Sequence, residues 1–175
     1  MYMAQKMDAG DLLAQASIPI EENDHVGMIE EKLSVLGSDL LIETLKNIDA
    51  ITPKKQEEAL VTFAYNIKPY EEKLDFHLTA QAVRNHVRGF YPWPGTYFTI
   101  DQRVIKVYDV DAIPENLSKT IGEVVKADHL SLWIQTSDGI ISLKDVQLQG
   151  KKRMKIRDFM NGAGKSLFLV GKTVE

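Results

Sequence analysis

The sequence predicts an α+β chain in two unlike parts: strands and one long helix in front, a small closed β-barrel behind. Three observations carry this. Val26, Ile29, Leu33, Leu36 and Leu40 recur at spacings of 3, 4, 3 and 4, which is one face of a helix. Beyond residue 100 the apolar residues come instead in short alternating runs divided by turn residues. Between the two lies a stretch with neither period, carrying prolines and clustered charges.

Taken in order, Tyr2 and the run Leu12–Ile20 read as strands around a tight turn at Asp8 and Gly10. Asn23 or Asp24 is placed to cap the helix, whose apolar face continues through Leu41, Leu45 and Ile48. Strand, strand and long amphipathic helix is the unit that covers one face of an α/β sheet. Residues 1–22 offer that helix almost no sheet, so its apolar side is expected to be exposed. Residues 52–76, TPKKQEEALVTFAYNIKPYEEKLDF, are expected to form a linker along a surface, with Phe63 and Tyr65 as isolated anchors. A short helix with Ala80, Val83 and Val87 on one side ends at Gly89. In FYPWPGTYF the prolines forbid regular structure and the aromatic rings are expected to pack, Trp93 filling the core while Arg88 satisfies nearby carbonyls. Arg103–Val110, Gly122–Lys126, Leu130–Thr136 and Ile140–Leu148 read as strands, the last two joined by the turn Ser137-Asp138-Gly139. With a short helix at Ile156–Met160, these strands suit an OB-like barrel.

Composition narrows the function. The chain has no cysteine, which excludes disulfides and thiolate metal sites and fits a reducing, cytoplasmic setting. No apolar run approaches the roughly 20 residues that span a bilayer, and the apolar start lacks the basic segment and cleavage site of a signal peptide. The net charge of −4 divides unevenly: residues 1–75 carry −8 and residues 76–175 carry +4. An acidic front and a basic back point to parts with different partners.

The most charged stretch is GKKRMKIRDFMNGAGKS. Seven Lys and Arg against two Asp lie between Lys144 and Lys165, enough to hold several phosphates by counterion release. A solvated basic loop has the same composition. GAGKS is not a phosphate-cradling P-loop, because that motif needs a glycine five residues before Gly164, where Phe159 stands. His25, His77, His86 and His129 are scattered without metal-ligand spacing, so no metal is expected. Asp8, followed by Ala-Gly, can sit at the mouth of a sheet, yet Asp-x-Gly also describes an ordinary turn, and chemistry alone favours the turn.

Several motifs together resemble a known family. YMAQKMDAGDLLAQASIPI resembles the second half of the folate-dependent formyltransferase signature, a strand leading to Asp-x-Gly. VTFAYNI, EEKLDF, VRGFYPWPGTYF and SDGIISLKDVQLQGKKRM resemble, in order and spacing, the methionyl-tRNA formyltransferase family. The likeness runs over essentially the whole chain, and the later motifs distinguish this family from relatives that share only its catalytic domain. It implies a Rossmann-like catalytic remnant at 1–51, a linker at 52–76 and an OB-like tRNA-binding domain at 77–175. It also implies transfer of a formyl group from 10-formyltetrahydrofolate to initiator methionyl-tRNA.

By the same resemblance Asp8 matches the family's catalytic aspartate, which orients a histidine and keeps it charged. Ala4, Gln5 and Met7 match a loop whose backbone meets the pterin. Gln5 departs from the acidic or apolar residue usual at its position. Lys68, Lys151, Lys152, Arg153, Lys155 and Arg157 become the candidates for tRNA phosphates. The family's asparagine and histidine have no counterpart in this chain. The expectation is therefore a C-terminal portion that is inactive alone and prone to self-association, from a parent enzyme that is monomeric. Two other readings stay open: an RNA-binding module without catalysis, and a formyltransferase acting on a nucleotide sugar or small amine. The positive GKKRM segment speaks against the second.

Overall fold

The computed structural model describes all 175 residues, which divide into two compact units, Met1–Asn66 and Ile67–Glu175. The first unit is built around helix α1, Val26–Lys46. His25 caps it, its Nδ1 accepting from the Met28 amide at 3.2 Å. The expected caps, Asn23 and Asp24, both lie before it, and the Asp24 carboxylate is already engaged: it accepts from the Glu21 amide at 2.9 Å and pairs with Lys32 at 2.7 Å. No residue of α1 is buried. The predicted face is covered in part: Val26, Ile29, Leu36, Leu40 and Ile48 are half-buried, while Leu33, Leu41 and Leu45 stay exposed.

The strands expected at Tyr2 and across Leu12–Ile20 do not form. The backbone there is irregular, and its sole sheet-like pairing is one bridge, Leu12 to Lys54, with two 2.8 Å bonds. A strand needs a neighbouring strand to satisfy its amides and carbonyls. Alternating residues alone cannot supply one. Phe63 and Tyr65 are also not anchored: both are exposed and stack on each other, ring centres 5.9 Å apart.

The second unit holds the core. Helix α2, Ala80–Gly89, buries Ala80, Val83 and Val87 against the sheet, as the spacing predicts. Its N-terminal amides are satisfied twice, by the Thr79 hydroxyl on Ala82 and by the Asp138 carboxylate on Ala80 at 2.9 Å. The hairpin turn read from Ser137-Asp138-Gly139 therefore also starts a helix. The strands are β1 (Thr96–Ile100), β2 (Arg103–Ile113), β3 (Val124–Ala127), β4 (Leu132–Gln135), β5 (Ile140–Leu148) and β6 (Met154–Lys155). They order β1-β2-β5-β4-β3, every pairing antiparallel, with β6 adding to β5. Phe98, Ile105, Leu132, Ile134, Ile141 and Leu143 are fully enclosed at its centre.

The sheet curls, and the last residues join its two edges. Gly171 and Val174 donate to β3 and its approach, at Val124 and Gly122, and Val124 donates to Lys172. Glu175 then exchanges both backbone bonds with Thr99 of β1, at 2.9 and 2.7 Å. Helices α3, Ile156–Met160, and α4, Gly164–Leu167, close the core from below through Phe159, Met160 and Leu167. This explains GAGKS: a Cβ on Gly164 would lie 2.8 Å from the Phe159 ring, so the glycine permits helix packing rather than phosphate binding. Trp93 does not fill the core. It stands 80% exposed, while Phe98 and Phe168 take the interior aromatic positions.

Candidate functional site

The candidate residues fall into two groups, one in each unit. In the first unit, Asp8 sits in a turn at φ 57°, exposed, with Ala4, Gln5 and Met7 exposed beside it. The turn is held from below. Gln56 Nε2 donates to the carbonyls of Asp8 and Gly10 at 2.9 and 2.7 Å, and the Tyr2 amide donates to Asp11 at 2.9 Å. Gly10 is buried so tightly under Tyr2 that a Cβ there would overlap the Tyr2 carbonyl, 1.7 Å away. The glycine of Asp-x-Gly thus serves close backbone approach. The Asp8 carboxylate bonds neither its own backbone nor any cation, which leaves it available. Gln56, which holds this turn, carried no signal in the sequence because its partners lie 46 and 48 residues away.

The second group surrounds a buried carboxylate that the sequence did not single out. Asp145, on β5, is 4% exposed. Arg153 grips it with two bonds, Nε to Oδ1 at 2.9 Å and Nη2 to Oδ2 at 3.0 Å, and Lys155 adds a third at 3.0 Å. Burial by itself pushes the Asp145 carboxyl up, but the bonds from Arg153 and Lys155 outweigh it and hold the group below the usual carboxylate range. Asp109 lies directly opposite Asp145 across the β2–β5 pair. Burial, with Asp111 and Asp145 nearby, pushes Asp109 up, while Lys155 and Lys144 oppose this. Two carboxylates facing each other on a sheet repel. Arg153 and Lys155 offset that repulsion.

Arg153 has a second face. Its guanidinium carbon lies 4.3 Å from the centre of the Tyr108 ring and 5.3 Å from that of Tyr91. Arg153 therefore ties β5, β2 and the loop following α2 together through one planar cation. Of the six predicted phosphate contacts, Arg153 and Lys155 are committed to Asp145. Lys151, Lys152 and Arg157 are exposed without ion pairs. Lys68 is exposed at the start of a short turn, its amide donating to Glu71 Oε2 at 2.6 Å.

Three of the four histidine side chains have local work, and of His129 only the backbone carbonyl is engaged. His25 caps α1, His77 pairs with Asp75 at 3.0 Å, His86 Nε2 meets the Glu71 carbonyl at 2.7 Å, and the His129 carbonyl accepts from Asn161. No group of three or more histidine or carboxylate side chains is placed to hold a metal ion.

Comparison with known proteins adds to this geometry. The family described as "Formyl transferase, C-terminal domain" matches residues 66–164. A methionyl-tRNA formyltransferase of Streptococcus thermophilus is 43% identical over 169 residues, covering 95% of this chain and 54% of the relative. Its counterpart in Staphylococcus epidermidis is 42% identical, covering 99% and 56%, and one from Staphylococcus aureus is 39% identical, covering 98% and 56%. The chain spans about half the length of the curated relatives it matches. Among solved structures, HypX from Aquifex aeolicus in complex with tetrahydrofolic acid matches with a TM-score of 0.64 and 17% identity, over 92% of this chain and 29% of that one. A substituted HypX variant gives a TM-score of 0.67 at 16% identity, over 94% and 30%. At that identity the likeness to HypX is one of fold.

Proposed function

Because this chain belongs to the formyl transferase C-terminal domain family, we propose that it forms the C-terminal half of a methionyl-tRNA formyltransferase. The observation that carries this is identity of 39–43% through 95–99% of the chain, both units included. The enzyme moves a formyl group from 10-formyltetrahydrofolate to the α-amine of initiator methionyl-tRNA. The amine nitrogen bonds to the formyl carbon and a tetrahedral adduct forms. The bond from that carbon to N10 of the folate then breaks, and the proton released by the amine ends on N10.

In this reading residues 1–51 end a Rossmann-like catalytic domain, 52–76 form the linker and 77–175 an OB-like barrel. Asp8 orients the catalytic histidine and helps pass the proton through water. Its exposed, unengaged carboxylate supports that role. The backbone around Ala4, Gln5 and Met7 meets the pterin. Lys68, Lys151, Lys152 and Arg157 contact tRNA phosphates, with Arg153 and Lys155 contributing the charge that Asp145 leaves uncancelled. The parent enzyme works as a monomer in the cytoplasm. No helix is long and apolar enough to cross a membrane.

Titrating the chain with initiator tRNA at several salt concentrations tests the binding half. Lys151→Glu with Lys152→Glu is expected to weaken binding at least about tenfold and flatten the salt dependence. In a complete enzyme carrying this sequence, Asp8→Asn is expected to lower kcat by about 10²–10⁴ with tRNA binding intact. Wild-type chain that ignores tRNA, or binding indifferent to the charge reversal, overturns the reading; the second result favours a small-molecule acceptor.

A further inference from the structure

The outer face of the curled sheet carries aromatic and basic side chains in one contiguous set. Tyr97, Lys106 and Gln147 lie side by side across β1, β2 and β5. They point away from the core, since their chain neighbours Phe98, Val107 and Val146 are buried. The Tyr108 hydroxyl donates to Gln147 Oε1 at 2.7 Å, and Gln147 Nε2 donates to the Lys151 carbonyl at 2.8 Å. This ties the turn bearing Lys151 and Lys152 to the same face. Arg153, stacked on Tyr108 and Tyr91, fastens the loop that carries Trp93 two residues further on. The base of that loop is closed by the Gly95 amide on the Phe90 carbonyl at 2.8 Å.

A fastened loop that leaves its indole 80% in water displays apolar surface that folding did not use. We infer that this face is a stacking platform for RNA, on which Trp93 takes a nucleobase and Lys106, Lys151 and Lys152 take the flanking phosphates. The inference rests on the proposed function and adds Trp93 and Lys106 to it as positioning contacts. Charge selects RNA over a protein partner. Lys106, Lys151 and Lys152 are exposed cations without carboxylate partners, and protein interfaces are depleted in lysine at their centres. Every base, by contrast, offers a ring face to an aromatic side chain. The carboxylates further along β2 do not cancel this charge: Asp111 pairs with Lys144 at 2.7 Å, and Asp109 faces Lys155.

The test uses the full 175-residue chain with two probes, an initiator tRNA transcript and a single-stranded oligoribonucleotide. Trp133→Phe leaves Trp93 as the only indole of two. RNA is expected to quench that emission. Trp93→Ala is expected to weaken binding about tenfold, Trp93→Phe far less, and Lys106→Ala to lower the salt slope by about 1. Emission unchanged at saturating RNA, or equal affinity for Trp93→Ala, overturns the inference and marks the ring as a protein contact. Quenching is read on the unmutated ring, so it decides the matter even where replacing residue 93 disturbs the loop. A wild-type chain that fails to bind tRNA overturns the proposed function as well. Binding with a silent Trp93 overturns this inference alone.

Discussion

Arg153 joins three elements through one side chain, and its removal separates them. With alanine there, Asp145 keeps Lys155 but loses its two-pronged partner, and Tyr91 loses the cation holding it near Tyr108. Breaking a fully buried ion pair costs about 3–5 kcal/mol. The Arg153 side chain is 40% exposed, so water weakens the pair and about 1–3 kcal/mol is expected. Lysine is not expected to restore it, because an ammonium lacks the planar fork that spans a carboxylate while lying flat against a ring. Denaturant titration across pH checks the cause. The folded Asp145 carboxyl lies below its unfolded value, so its stabilisation is complete above about pH 4 and lost as pH falls through the folded value. In Arg153→Ala that acid limb is expected to flatten. A loss of stability equal at pH 3 and pH 7 assigns Arg153 to packing alone.

Among the elements, the closing segment Gly171–Glu175 does more than its length suggests. It satisfies the outer edges of β3 and β1, and Lys172 pairs with Asp101 at the β1–β2 turn. Open edges invite pairing with other chains. Deleting these five residues is expected to cost on the order of 3 kcal/mol from lost backbone bonds and the buried Val174. Urea unfolding measures the loss, and thioflavin-type fluorescence on standing reports edge-to-edge association. A variant as stable as the parent means the edges are satisfied by other means. Helix α1 is the opposite case, a regular element that buries none of its residues fully and leaves its apolar face only half-covered.

At the scale of the molecule, charge and apolar surface divide by unit. Residues 1–66 carry −7 and residues 67–175 carry +3, so salt-dependent RNA binding is expected from the second unit. The first unit exposes Leu33, Val35, Leu41, Ile42 and Leu45 along α1. Exposed apolar side chains in that number are expected to drive self-association once salt screens the charge of −7. Light scattering over a range of concentration and salt measures it; a monomer at every condition counts against it.

Where structure follows from spacing along the chain, it was legible beforehand. The 3-and-4 rhythm placed α1 and α2, alternation placed most of β2, and Ser137-Asp138-Gly139 placed the hairpin into β5, because these patterns express contacts within a few residues. The Asp-x-Gly turn was visible too, though its reason, the Tyr2 carbonyl against Gly10, was not. What the tertiary structure alone decided is which groups meet across long separations. Alternating residues at Leu12–Ile20 found no strand beyond the single Leu12–Lys54 bridge, Trp93 came out into water, and two basic residues counted for phosphate, Arg153 and Lys155, paired with Asp145 instead. Periodicity records which way a side chain faces, whereas pairing, burial and charge compensation depend on what the rest of the chain brings opposite it.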